Sequence, residues 1–202
     1  MRRRERASAP PAWVVAYAAL FAFALALAAG TARAAARRDP PLTILLRRIA
    51  DVHECYADQF AAEVWHQSME PRLRPYVHSY AQRIKILDDV YCEAKRDPRL
   101  PLPPDLVLAL IAVESRFDRF AVSQVGAVGL MQVMPFWPKR LGVPNRLVRV
   151  DANIRIGCEI LRRYLREEHH DWIRALERYN GSDGHIGYPA LVLSRWQHQW
   201  HF

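Results

Sequence analysis

Glu114 stands where chemistry is easiest to imagine. If the stretch from Leu106 to Phe117 is helical, Val107, Leu110, Ile111, Glu114 and Phe117 share one face, and Glu114 is its polar member. Its helical neighbours at three and four positions are Leu110, Ile111, Phe117 and Asp118, so the helix offers it no Lys or Arg. Partial burial and the adjacent Asp118 both push such a carboxyl toward its protonated form. A carboxylic acid held neutral near pH 7 can protonate a glycosidic oxygen, the first requirement of acid-assisted glycan cleavage. The plainer reading is a Glu at the edge of the stripe that reaches water or a distant Arg. Periodicity alone leaves both open.

The elements that must position this residue read as helices. After Asp39-Pro40-Pro41, the residues Leu42, Leu45, Leu46, Ile49 and Val52 recur at helical spacing. Pro71 and Pro75 are expected to end one helix and open the next, whose apolar face is Ile84, Leu87 and Val90-Tyr91. Pro98 to Pro104 reads as a stiff connector, and Asp105 as a cap for the helix that begins near Leu106. Gly126, Gly129, Pro135, Pro138, Gly142 and Pro144 impose a winding loop. Helices are expected again from Asp151 to Arg166 and from Asp171 to Tyr179, stopped by Asn180-Gly181. Nothing asks for an extensive sheet, so the expected fold class is mainly α.

With these elements in order, a resemblance becomes specific. Glu114-Ser115, then Ser123, then Gly126 to Pro135 (GAVGLMQVMP), resembles the signature of soluble lytic transglycosylases and their goose-type lysozyme relatives. Asn153, Gly157, Leu161 and Tyr164-Leu165 are similar to the family's next helix, Ala175 to Gly181 to its Tyr-Asn motif, and Gly187-Tyr188 to the place of a closing tyrosine. Here Arg178 precedes the Tyr-Asn pair and Gly181-Ser182 follow it, where the family often has Ala before and Ala-Gly after. The resemblance covers Leu106 to about Val192.

It implies a lysozyme-like catalytic domain with an N-terminal helical extension, acting on peptidoglycan glycan strands at the bond between N-acetylmuramic acid and N-acetylglucosamine. It assigns Glu114 as acid and then base, with closure of a 1,6-anhydro ring, and Tyr179 as its catalytic companion. Ser123, Met131, Gln132, Asn180 and Tyr188 are the implied substrate-binding residues, each of which also has an ordinary structural use. Asp118 reads as structural. No cofactor is implied. The His169-His170-Asp171 run and His198 and His201 lack metal-ligand spacing, so no metal site is expected. A hydrolytic lysozyme shares the first protonation and stays open, and a non-catalytic glycan-binding scaffold would be favoured only without the acid.

The charge balance supports an export reading. The net charge is +8, of which residues 1–38 carry +6, leaving too little on the rest to argue for nucleic acid. Residues 1–34 combine a basic start, an apolar run from Ala12 to Ala29 and Ala32-Arg33-Ala34, the layout of a signal peptide or, if uncleaved, a membrane anchor. Membrane contact is expected through that segment alone. The expected division is therefore 1–34 export segment, 35–104 helical extension and connector, and 105–202 catalytic domain, in the periplasm. The extension, residues 42–95, carries no motif and could dock a partner such as a cell-envelope or secretion machine. Cys55, Cys92 and Cys158 are too few for a disulfide framework and read first as small buried residues, although an exported protein could pair two.

Overall fold

The computed structural model describes residues 58–182 and 184–202. The export segment, the Leu42 to Val52 face, Cys55 and Asp183 lie outside them. The described part is mainly α, as expected. Its helices are α1 (Gln59–Leu73), α2 (Tyr80–Lys95), α3 (Pro104–Glu114), α4 (Trp137–Arg140), α5 (Val150–Glu167), α6 (Trp172–Asn180) and α7 (Gly187–Arg195), the last running into a π-helical turn, Trp196–Trp200. Among the described residues β pairing is limited to two isolated antiparallel bridges, Val122 with Val128 and Val128 with Val133. None of these helices is long and apolar enough to cross a membrane.

Helix α3 is the axis of the fold. Every residue from Pro104 to Ala112 is buried, and a helix apolar on all sides is stable only when other elements surround it. Here α2, α7 and the π-helical turn do so. Pro104 at the first helical turn is well placed, because its fixed φ suits a helix start and its missing N–H would have no helical partner there. The start differs from expectation. Asp105 lies inside the first turn and does not cap it; its Oδ2 accepts a hydrogen bond from the Trp196 indole at 2.7 Å.

The other end differs too. The helix stops at Glu114 and does not run to Phe117, because Arg116 and Phe117 take left-handed φ values of 53° and 66°. Two consecutive non-glycine residues there are strained. The turn is held by Ser115, whose hydroxyl donates to Leu130 O at 2.8 Å, and by Phe117, buried against Tyr76 and Trp200 with centroids 5.2 and 5.4 Å away.

Buried cations tie the helices before α3 to one another and to α5. Arg83 on α2 meets Glu70 on α1 at 2.7 Å and donates to Val77 O and His78 O. Arg162 on α5, 1% exposed, donates to Glu93 O, Ala94 O and Leu100 O, fixing the end of α2 and the connector against the core. Pro71 lies inside α1 rather than ending it. Asp58, Ser79 and Asp171 cap α1, α2 and α6 through side-chain oxygens, and Gly181 closes α6 at φ 76°. Cys92 is disulfide-bonded, whereas Cys158 is free and buried.

Candidate functional site

Glu114 is the last residue of α3, where the helix emerges from the core. Its pKa is pushed up to about 7, chiefly by burial, with a hydrogen bond from Tyr188 acting in the opposite direction. The negative end of the helix dipole also disfavours a carboxylate there. Asp118, expected to add repulsion, is not among the causes. Because the helix ends at Glu114, Asp118 sits in the following turn, where its Oδ1 accepts from Phe120 N at 2.8 Å.

Two tyrosines complete the cluster. Tyr188, in the first turn of α7, donates its hydroxyl to Glu114 Oε1. Tyr179, near the end of α6, donates instead to Met131 O at 2.8 Å. Both phenols are pushed well above their ordinary pKa, first by burial and then by the nearby Glu114 charge, so both stay protonated donors. The arrangement is one carboxyl, poised between its two forms near neutrality, beside two neutral hydroxyls. Such a group can give a proton to a bound oxygen and take one back.

The remaining residues shape the loop between α3 and α5. Ser123 accepts from Ala127 N at 3.0 Å and closes a tight turn around Gly126. Gln132, itself left-handed at φ 45°, donates to Gly129 O at 2.9 Å and Ala121 O at 3.3 Å. The Met131 side chain is fully buried over Gly157, where an added Cβ would come within 2.5 Å of its sulfur. It therefore faces the core, not an open cleft wall, and Met131 meets the cluster through its carbonyl. Asn180 is the exposed final residue of α6. Thus the structure brings Glu114, Tyr179 and Tyr188 together, and gives Ser123 and Gln132 hydrogen bonds within their own loop.

One organising residue was visible only as part of a pattern. Asn153, 1% exposed, accepts from Met131 N at 2.8 Å and donates to Val128 O and Leu147 O at 2.9 and 2.8 Å. It pins three points of the loop at once, and Gly129 must be glycine because a Cβ there would lie 2.5 Å from the Asn153 amide nitrogen. An amide among the apolar residues Ile154, Gly157 and Leu161 of the buried face of α5 was the signal that could have singled it out. Among the described residues no cluster of His, Cys, Asp or Glu could hold a metal ion.

Residues 92–190 match the model of the family described as Transglycosylase SLT domain. This part of the chain is similar to that family. The match takes in the end of α2 and the proline connector, upstream of the boundary expected at residue 105. The chain is also similar to a transglycosylase of Enterobacteria phage PRD1, 37% identical over 93 residues that make up 46% of this chain and 34% of that protein. The chain thus spans about a third of that curated relative. Among solved structures it is similar to an inactive mutant of the lytic transglycosylase Slt from Pseudomonas aeruginosa, with 29% identity and a TM-score of 0.42 over 48% of this chain and 17% of that one.

Proposed function

We propose that this chain is a peptidoglycan lytic transglycosylase of the SLT family that uses Glu114 as its single acid/base. The observation that carries this reading is the state of Glu114, a partly buried carboxyl with a pKa of about 7 and a tyrosine as its hydrogen-bond partner. In the first step its proton goes to the glycosidic oxygen and the bond from that oxygen to C1 of the muramoyl sugar breaks. The N-acetyl carbonyl of the substrate can support the developing positive charge where a second carboxylate would otherwise be required. In the second step the Glu114 carboxylate takes the proton of the C6 hydroxyl as its oxygen bonds to C1. The proton is returned and no water is consumed. Tyr188 orients the carboxyl, and Tyr179 fixes the Met131 carbonyl beside it while adding a neutral donor. Ser123, Gln132 and Asn180 border the path of the sugar chain.

The cell wall places such an enzyme outside the cytoplasm. The disulfide at Cys92 supports an oxidising compartment, and a periplasmic site with export through residues 1–34 is the reading that fits. A role in opening the wall for a secretion or appendage machine would suit a unit of this size.

The test is the product. Mass spectrometry of muropeptides after digestion should show 1,6-anhydromuramoyl ends, lighter by one water than reducing ends and resistant to borohydride. Ordinary reducing ends would replace this reading with a hydrolytic lysozyme that shares Glu114. An unchanged wall would reject glycan cleavage altogether.

A further inference from the structure

A pocket of about 490 Å³ lies between α1, the end of α2, the proline connector and Phe202, and its lining includes no member of the Glu114 cluster. Ala61 and Trp65 face it from α1, Tyr91 and Lys95 from α2, each pair four residues apart and so on one side of its helix. The Trp65 and Tyr91 rings pack with centroids 5.3 Å apart, and Leu102 of the connector adds to the apolar wall. Two groups here are left wanting. The Trp65 indole N–H is buried and finds no acceptor among the described residues, a costly state for a donor. Lys95 is exposed at the edge and is in no ion pair among the described residues. An occupant that suits this surface brings apolar side chains, a hydrogen-bond acceptor and negative charge.

The cysteines indicate which segment that is. Cys92 is disulfide-bonded, and it stands next to Tyr91 and three residues before Lys95, at the margin of the pocket. Cys158 is a free, fully buried thiol whose pKa is pushed up to about 12 by burial. The chain has three cysteines, so Cys55 is the remaining partner within it. Cys55 precedes Asp58, the cap of α1, by three residues, a reach of about 10 Å when extended. Asp58 in turn is close to Tyr91, whose pKa is raised first by burial and then by the Asp58 charge. Residues 49–57 read IADVHECYA: Ile49, Val52 and Tyr56 are apolar, Asp51 and Glu54 are acidic, and no Lys or Arg is present. That composition complements the pocket and its unpaired lysine.

We propose that Cys55 closes the disulfide at Cys92 and that residues 49–57 cover this pocket, with Val52 and Tyr56 against its apolar wall, an acid near Lys95 and a backbone carbonyl accepting from Trp65. The bridge encloses all of α1 and most of α2. The opposite wall of the pocket is the connector that leads into α3, together with Phe202, which follows the π-helical turn. The strap therefore fastens the approach to α1, the end of the chain and the root of the helix bearing Glu114 to one another, and only an oxidising compartment closes it. This inference is independent of the reaction assigned to Glu114.

The first test uses the wild-type full chain, purified without reductant, and so does not depend on how any variant folds. Peptide mapping by mass spectrometry should show Cys55 joined to Cys92 and Cys158 as a free thiol. A bridge from Cys92 to Cys158 or to a second chain, or a Cys92 thiol, would overturn the proposal. Reduction should lower the wild-type Tm by about 5 to 15 °C. Cys55→Ser and Cys92→Ser should each begin lower by that amount, the double variant should be no lower than either, and reductant should no longer move the transition. A Cys55→Ser protein that melts with the oxidised wild type would also overturn it.

The second test asks whether the segment covers the pocket. The Trp65 indole proton, assigned by its loss in Trp65→Phe, should exchange slowly with water in the oxidised protein. In Val52→Asp, with the disulfide intact, that exchange should quicken by about 10-fold or more. Equal exchange in the two proteins would overturn the covering of the pocket.

Discussion

Asp105 and Glu114 stand at opposite ends of α3, and both are shielded from bulk water. Asp105 lies at the end where backbone N–H groups point outward, and the Trp196 indole satisfies its oxygen. Glu114 lies at the end where carbonyls point outward, and it has one hydroxyl partner and a pKa raised to about 7. The first carboxylate is placed where a negative charge is welcome, the second where it is opposed. On the proposed reading, the same helix holds a structural acid at one end and the proton-transfer acid at the other. The lesson is that surroundings set the difference: burial chiefly raises the Glu114 pKa, and its place at the helix end works in the same direction.

The comparison is broken most severely by Glu114→Gln, which keeps the shape and removes the proton. Turnover should fall at least about 100-fold, the lower end of what a positioned acid contributes, while glycan binding persists. The same change should make the fold more stable at alkaline pH. Because the folded protein holds this proton more tightly than the unfolded chain does, stability from Glu114 is complete below the ordinary value of 4.5, declines as pH rises to about 7 and is level above. The Gln variant should therefore gain about 1–3 kcal/mol over wild type at pH 8 and little at pH 4, read by chemical denaturation. Full activity in this variant would remove Glu114 from the mechanism.

Tyr179→Phe comes next. It removes the donor to Met131 O while keeping the ring, and turnover should slow by roughly 10- to 1000-fold. Unchanged turnover with the fold intact would make the hydroxyl a packing detail. Tyr188→Phe should act more mildly on rate, about 10-fold, and leaves a different signature. Its hydroxyl holds the Glu114 pKa down, so its loss should move the alkaline limb of the rate profile upward. In the wild type that limb should fall through about pH 7, because the first step requires the protonated acid. A limb that does not move in the Phe variant would mean that Tyr188 does not bond Glu114 during turnover.

Asp105→Asn should affect catalysis least. The amide can still accept from Trp196, so the cost should be about 1 kcal/mol of stability, seen as a lower thermal midpoint with kcat unchanged. A large loss of kcat would tie the two ends of α3 together more closely than their separate partners suggest.

Helices α5 and α6, and the isolation of Glu114, were legible because apolar periodicity and caps such as Asp171 are local signals. The end of α3 was not, because Arg116 and Phe117 adopt left-handed backbone that neither residue type announces. That strain is sustained by distant partners, Leu130, Tyr76 and Trp200. For the same reason the expected repulsion from Asp118 failed: extending the helix by one turn placed it on the wrong face. The Tyr188 contact with Glu114 depends on tertiary packing, which spacing does not encode, whereas Met131 shows the reverse case of a side chain used for the core and a carbonyl used for the site.

The π-helical turn has a further consequence. Trp200 is fully buried beneath Phe117 and Tyr76, Gln199 donates to the Tyr76 hydroxyl, and Arg72 holds the carbonyls of Gln199 and His201. Residues 196–202 therefore act as a stopper driven in from behind the turn that presents Glu114. Loss of these residues would remove no member of the cluster from the sequence and should still let the turn relax. On the proposed reading, activity should depend on residues 196–202 in a way that an inventory of catalytic side chains would not reveal.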